Sequence, residues 1–597
     1  MTEIIIKNDT VIPPKMPASY IVLAIDIVRQ VNRIPLATLT LIDGDVAKRE
    51  FLISDSGFFD LGQVIEVYLR PKGENQDVLV FRGLVMSHAW EANTNQSILT
   101  IVLKDSAIKM TQSRKSRVSL NTTDQSVINN IINSYKLEVG QPEFPVKPSN
   151  DIVQYNCTDW DFILTRAEAN GLLVNVVNGS ISFNTIDLEA RVSPSLKRRS
   201  TNLEARVSPS LKRRSSLPLP RSQDSTTINY VIDVVYSIEI EANANGQYDE
   251  VSSTGWDIPN QKMTVPQKPS IANLIVSPGD IKSADLAAAL QNKHHALTSP
   301  APLKPAELQS WCDGTLARSR LALIRGRICV PGRTNINLLD TIVITGVGKH
   351  FGGANGGRAM VTGLRHRVTE ELGWVTDLQF GLAEDWFANR PDIAPPPAAG
   401  LTPPVSGLQI GVVDTFEEDK YGPYRVKVKI PALAGQPQEG QQPPVSVWAR
   451  LASPDAGNKR GFYVRPEAGD EVVLGFFNED PRQPVIIGSL YSSGINPIPA
   501  ENIVGTPNAE NDKKGWVSKT GMSIVFDDKN EKISIVTLNN TNSIVLDGKN
   551  KTIVISDINE NSISMSSEGI SIDSKNKISI MSKENNVNIN GKNFKND

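Results

Sequence analysis

Cysteine, histidine and aromatic residues are scarce in this chain. Among 597 residues there are three cysteines, five histidines and 6% aromatics. Cys157, Cys312 and Cys329 are too few and too far apart for a disulfide framework, and none has the CxxC spacing of a zinc site. They read as buried thiols in a protein folded under reducing conditions. His88, His294, His295, His350 and His366 form no HExxH motif. The adjacent pair His294-His295 would point its rings in different directions, which argues against a shared metal. GxSxG and Walker motifs are also missing. Gly346-x-Gly348 follows a strand-like run, Thr341 to Thr345, but Phe351 stands where a third glycine would be needed. A second strand-like run, Ala359 to Val368, follows where a dinucleotide loop requires a helix. Lys349 to Arg358 is therefore expected to be a hairpin tip, with His350 structural or exposed. No catalytic, cofactor-binding or metal-ligating residue is assigned, and no cofactor is expected.

Charge of one sign is lacking too. Lys plus Arg number 62 and Asp plus Glu 65, a net charge of −3, without the basic excess that neutralising a phosphate backbone requires. No specific nucleic-acid partner is expected. The longest apolar run, Tyr20 to Val28, is interrupted by Asp26 and falls well short of the ~20 residues of a membrane span. The start, MTEIIIKNDTVIPPK, has no basic segment leading into a long apolar one. No signal peptide is expected, and synthesis in the bacterial cytoplasm is.

Proline is missing from one region altogether. All 38 prolines lie at or before Pro507, and the 90 residues after it contain no Pro, Cys, His or Arg. Over residues 521–597, Asn, Ile, Ser and Lys supply 48 of 77 residues, with 13 isoleucines. Disorder accounts for the polar residues but not for the isoleucines. Apolar pairs at i, i+2 recur along this stretch. They are Ile524 and Phe526, Ile533 and Ile535, Ile544 and Leu546, Ile553 and Ile555. They continue as Ile563 and Met565, Ile570 and Ile572, Ile578 and Ile580, Val587 and Ile589. Alternation places each pair on one face of a short strand, and turn-forming residues such as DDKNEK and DGKN separate the pairs. Two apolar residues per repeat make a thin core for one chain. These sixteen residues are therefore expected to form the core of a needle shared by three chains, a trimeric β-helix or β-prism. A single-chain solenoid or a fibril-like tail is the plainer alternative. Proline would interrupt such a ladder. Without histidines, the distal end is expected to be covered by a separate protein rather than by a metal of its own.

The stretch before the tail is strand-rich and bounded by proline-rich segments. Residues 390–406 contain six prolines and read as a semi-rigid spacer, and 495–516 read as a second linker. Between them, over 407–494, the runs LQIGVVDTF, YRVKVKIP, VSVWARLA, GFYVRP, DEVVLGFF and PVIIGSLY give five or six strands, a small closed barrel of the OB type. Tyr421-Gly422-Pro423 supplies a turn, and the acidic trio Glu417, Glu418 and Asp419 reads as solvated. No aromatic-basic face is evident. The first 389 residues alternate strands such as Ile21 to Ile27 and Leu36 to Leu41 with two helices. One opens at a capping box, Thr122 with Gln125. The other opens at Thr158 and ends at Gly171 in the C′ position.

Phe462 to Phe476 (FYVRPEAGDEVVLGF) and Asp480 to Tyr491 (DPRQPVIIGSLY) resemble the OB-domain signature of Vgr-type hub-spike proteins of contractile injection systems, which include phage-tail-like particles and type VI secretion. Val31 to Asp45, Val78 to Val85 and the segment around Thr158 to Leu173 are similar to the hub of the same family. The resemblance covers nearly the whole chain. It implies a mainly β fold with a hub of two β-barrels and helical insertions over 1–389, an OB-fold barrel, and a spike over 517–597. It implies a structural protein, not an enzyme: a homotrimer joining a hexameric inner tube to a membrane-puncturing needle. Its partners would be the inner tube protein, baseplate proteins, a PAAR-type tip protein and the target cell envelope. The particle would be extracellular on release. The competing expectation is a carbohydrate-binding or depolymerising tailspike enzyme, which would need a carboxylate cleft and sugar-stacking aromatics.

One feature lies outside that resemblance. Leu188 to Ser200, LEARVSPSLKRRS, recurs identically at Leu203 to Ser215, and residues 188–221 hold nine basic and two acidic residues. A duplicated exposed loop is the plain reading. Contact with an acidic partner surface, or binding of nucleic acid, are the alternatives.

Overall fold

The structure is a computed structural model. It describes residues 3–591 apart from 46–47, 72, 74, 94–95, 143, 146, 187–225, 271–278, 353–356, 420–423, 432–445 and 493–508. The duplicated basic segment, the Tyr421-Gly422-Pro423 turn and most of the second linker lie outside the described residues. The chain divides into two compact units, Met1–Pro395 and Pro396–Asp597. Among the described residues no helix is long and apolar enough to cross a membrane.

The first unit is built on a twelve-stranded sheet. Alternating sequences drive it. In Val22–Gln30, Leu36–Ile42 and Val64–Arg70 every second residue is buried, so each strand carries one face into a core. One core gathers Ile25, Ile27, Leu39, Leu41, Ile65, Val67, Phe81 and Leu99. A second gathers Leu321, Ile328, Ile342, Ile344, Leu364 and Phe380. The two cores lie on two halves of one sheet, because Val22–Gln30 pairs antiparallel with Gly357–Thr369 and joins the halves strand to strand. Gly357–Thr369 is long enough to pair with Thr341–Thr345 and Gly373–Phe380 as well.

A third core holds the helices α1 (Asp124–Ser134) and α2 (Asp159–Ala169). Thr158 caps α2 as expected, its hydroxyl accepting from the Asp161 N–H at 3.1 Å. Gly171 follows with φ +70°, which glycine adopts readily. At α1 the cap is Thr123, not Thr122: its hydroxyl accepts from the Ser126 N–H at 3.3 Å. Thr122 is the last residue of the preceding strand, and its backbone is spent on pairing. The remaining helices are α3 (Ser283–Ala289), α4 (Pro305–Leu323) and α5 (Gly348–Gly352). The short α5 opens the expected hairpin tip, and His350 there is exposed, 2.7 Å from Asp280.

In the second unit, Gln409–Val413, Val426–Lys429, Val447–Leu451, Glu471–Phe476 and Pro484–Leu490 close into a five-stranded barrel around Val413, Val428, Ala449, Leu474 and Ile486. GFYVRP contributes only Gly461 to a strand, paired in a two-residue hairpin. Val464 and its neighbours are exposed. A seven-stranded antiparallel meander, 513–573, completes the unit.

Candidate functional site

The sequence places the tail's function on its isoleucines, and the strand register bears directly on that. Each strand of the meander is five or six residues long, and tight turns force consecutive strands antiparallel. The pairs fall into two cross-strand columns. One runs Ile524, Ile535, Ile544, Ile555, Ile563, Ile572. The other runs Phe526, Ile533, Leu546, Ile553, Met565, Ile570. Each is directly opposite the next, the arrangement in which side chains on one face stack. All lie on one face, and eleven of the twelve are 37% to 68% exposed. Covering that surface would contribute about 1–2 kcal/mol per residue as an upper value.

Four of the sixteen expected core residues depart from this pattern. Ile578, Ile580, Val587 and Ile589 lie beyond Gly569–Asp573, the last strand of the meander, and join neither column. The physical reason is pairing. Ile578 and Ile580 sit in chain without strand hydrogen bonds, and so do Val587 and Ile589. With no ladder to fix their register, all four are exposed. The ladder therefore brings together six of the eight expected pairs. It is an antiparallel meander within one chain rather than a β-helix.

The first column contains one residue that the i, i+2 pattern could not reveal. Trp516 lies opposite Ile524 and heads that column. Its ring packs 5.2 Å from Phe462 of the barrel, and Lys519 pairs with Glu467 at 2.9 Å. The opposite face carries Val525, Ser534, Val545, Val554, Ser564 and Ser571 in register. Only Val525 among these is buried.

Asparagine and aspartate set the turns. Asn530 gives its backbone N–H and its side-chain amide to Asp527 at 3.0 and 2.9 Å. Asn550 does the same to Asp547 at 2.8 and 3.0 Å. Asn559 and Asn561 both donate to Asp557. These hydrogen bonds hold the carboxylates below their usual range, Asp557 at about 2.

On the barrel, Lys427 and Lys429 project from the strand Val426–Lys429, whose valines face inward, and Arg425 immediately precedes it. Arg425 pairs with Asp419 at 2.7 Å, Lys427 with Glu417 at 2.5 Å and Lys429 with Asp414 at 2.9 Å. Two of the three expected solvated acids are thus ion-paired. Arg425 and Lys427 also lie over Trp448, 5.6 and 5.4 Å from its centroid. An aromatic-basic face does exist, contrary to the sequence reading, because strand pairing brings Trp448 beside residues distant in sequence. Its cations are already matched by carboxylates.

The histidines are dispersed. His294 Nε2 lies 2.9 Å from the Ser252 hydroxyl, and His295 stacks on Tyr248 at 4.3 Å. His366 is buried and bonded to Thr376, its basicity pushed down to about 3 by burial and by Arg29. No group of three His, Cys, Asp or Glu side chains among the described residues could hold a metal ion.

Comparison with known proteins adds two family matches. Residues 4–198 and 217–370 match the family described as the Alg8 N-terminal domain. Residues 409–491 match the type VI secretion system/phage-baseplate injector OB domain. The type VI secretion system spike protein VgrG5 of Pseudomonas aeruginosa is 36% identical over 111 residues, 18% of this chain and 13% of that protein. VgrG4b of the same organism is 36% identical over 146 residues, 23% of this chain and 17% of that protein. The chain thus spans less than a fifth of either relative. Among solved structures, a tail protein of Neisseria meningitidis aligns with a TM-score of 0.42 at 14% identity, over 66% of this chain and 99% of that one. The Francisella PdpA-VgrG complex, lidded, aligns at 0.39 and 10% identity, over 96% and 80%.

Proposed function

The chain belongs to the Alg8 N-terminal domain family and carries an injector OB domain, and from that premise we propose that it is the trimeric hub and spike of a contractile injection system. The observation that carries the reading is the double column of exposed apolar side chains on the tail. A seven-stranded sheet with an uncovered apolar face is poorly stable alone and prone to association. Three copies bringing these faces together would bury the columns about one axis and make a narrow, stiff rod. The Met1–Pro395 unit would seat on the inner tube and baseplate, and the barrel would join that seat to the rod. Trp516 and Lys519, held to Phe462 and Glu467, fix the first strand of the rod to the barrel. Driven by contraction of a surrounding sheath, the rod would concentrate force on a target envelope. A PAAR-type protein would cover the distal end. The chain would be assembled from the bacterial cytoplasm into a particle that is extracellular on release.

Light scattering with negative-stain imaging of the purified full chain tests this. A particle about three times the 65.2 kDa chain mass with a thin projection is expected. A monodisperse monomer without a projection would overturn it.

A further inference from the structure

A cavity of about 190 Å³ lies in the first unit, where three stretches of chain converge. They are the end of Val22–Gln30 with the turn after it, α4, and the residues that follow Gly373–Phe380. Each brings one arginine: Arg33, Arg318 and Arg390. Glu168 of α2 draws the last two together. Its carboxylate pairs with Arg318 and accepts the Phe387 N–H at 2.7 Å. That bond ties down the turn Phe387–Asn389. Arg390 follows the turn, its guanidinium 5.1 Å from the Phe387 ring centroid. On the other side, Asn32 takes the left-handed conformation, φ +59°, and its Oδ1 accepts the Val174 N–H at 2.8 Å. The groups left on the Asn32 side chain are therefore donors.

The charges in this cavity do not balance. Arg318 is buried, whereas Arg33 and Arg390 are exposed. Neither exposed guanidinium takes part in an ion pair or a side-chain hydrogen bond among the described residues. Among the lining residues Asp385 carries the one carboxylate. Three cations thus face one anion, and counting Glu168 behind Arg318 still leaves a cation in excess. Burial and the nearby charge of Arg390 hold Arg318 below its ordinary basicity, against the pull of Glu168. Bringing like charges together costs free energy that a bound anion offsets.

We propose that this cavity binds a small phosphate-bearing anion, with Arg33 and Arg390 as its principal donors. Charge favours phosphate: at about −1.5 to −2 near neutral pH it matches two guanidiniums that lack a carboxylate, where a single carboxylate ligand would match one. Geometry favours it too, because the planar fork of arginine meets phosphate oxygens two at a time. Size sets the limit. The cavity is smaller than the roughly 300 Å³ at which small-molecule pockets begin, so it takes the phosphate group and little more.

Calorimetric titration of the full chain with inorganic phosphate tests the proposal. Saturable binding at one site per chain is expected. Arg33→Gln and Arg390→Gln should each weaken it about tenfold, the effect of losing a charge-assisted contact. Arg33→Lys, which keeps the charge and loses the fork, should fall between natural chain and Arg33→Gln. Asp385→Asn should tighten binding about fivefold by removing the lining carboxylate. Glycerol 3-phosphate separates the two sources of the group: tighter binding than phosphate marks an ester as the occupant, weaker binding the free ion. No saturable binding, or equal binding by the arginine variants at matched melting temperature, would overturn the proposal. So would the same heats from sodium chloride at equal ionic strength. None of these results depends on whether the chain forms a trimeric spike.

Discussion

Asp159 shows how much one buried side chain can organise. Its carboxylate is fully buried and accepts from Lys115, Arg117, Tyr135 and Gln154 at 2.7 to 3.0 Å. Burial alone would raise its pKa, but these four donors outweigh it and hold the group below the usual carboxylate range. Asp159→Ala takes the carboxylate away from Lys115 and Arg117 and should cost about 3 kcal/mol, measured by denaturant unfolding. Thr158→Ala removes only the cap and should cost about 1 kcal/mol. His366 predicts an acid response. Its folded pKa of about 3 lies below the ordinary 6.5, so the unfolded chain binds more protons between those values. Stability carried by neutral His366 is therefore complete above about 6.5 and falls as pH drops towards 3. His366→Gln should flatten the melting temperature against pH in that window; an unchanged slope would refute the assignment.

At the scale of the element, the tail separates two sequence codes. Isoleucine alternation sets the face, and aspartate three or four residues before asparagine sets the turn. Asp547→Ala should loosen the turn between 542–547 and 552–557, seen as faster amide exchange in those two strands while the outer strands keep theirs. Ser534→Pro strikes the central ladder, since Ser534 pairs with both Val525 and Val545. It should abolish the rod in negative stain, whereas Ser571→Pro in the last strand should leave most of it. The face and the turns were legible because both are local. Trp516 was not, because it stands alone in its strand and joins the column only through pairing with Ile524. Ile580 and Ile589 mark the opposite limit: their alternation matches that of Ile553 and Ile555, yet no ladder takes them up. The aromatic-basic face of the barrel was hidden because Trp448 is distant in sequence from Arg425 and Lys427.

At the scale of the whole molecule, the units differ in what completes them. Met1–Pro395 contains four buried apolar clusters among its described residues, whereas the meander presents its apolar columns to solvent. Ile544→Asp with Ile555→Asp places two charges in the middle of one column. It should reduce the scattering mass from about three chains towards one while leaving the far-UV signature of the first unit intact. Retention of the larger mass would show that association does not run through this face.

The sequence by itself determined the mainly β character, the closed barrel, the cap of the helix at Thr158, and which tail residues share a face. Each depends on periodicity or on partners within a few residues, and the backbone geometry translates that directly into structure. Only the tertiary structure decided that the hub strands join into one sheet, that Glu417 and Asp419 are ion-paired, and that Arg33, Arg318 and Arg390 line one cavity. Those outcomes depend on which distant strands and helices meet. That choice is made by long-range pairing and packing, to which a local pattern is blind.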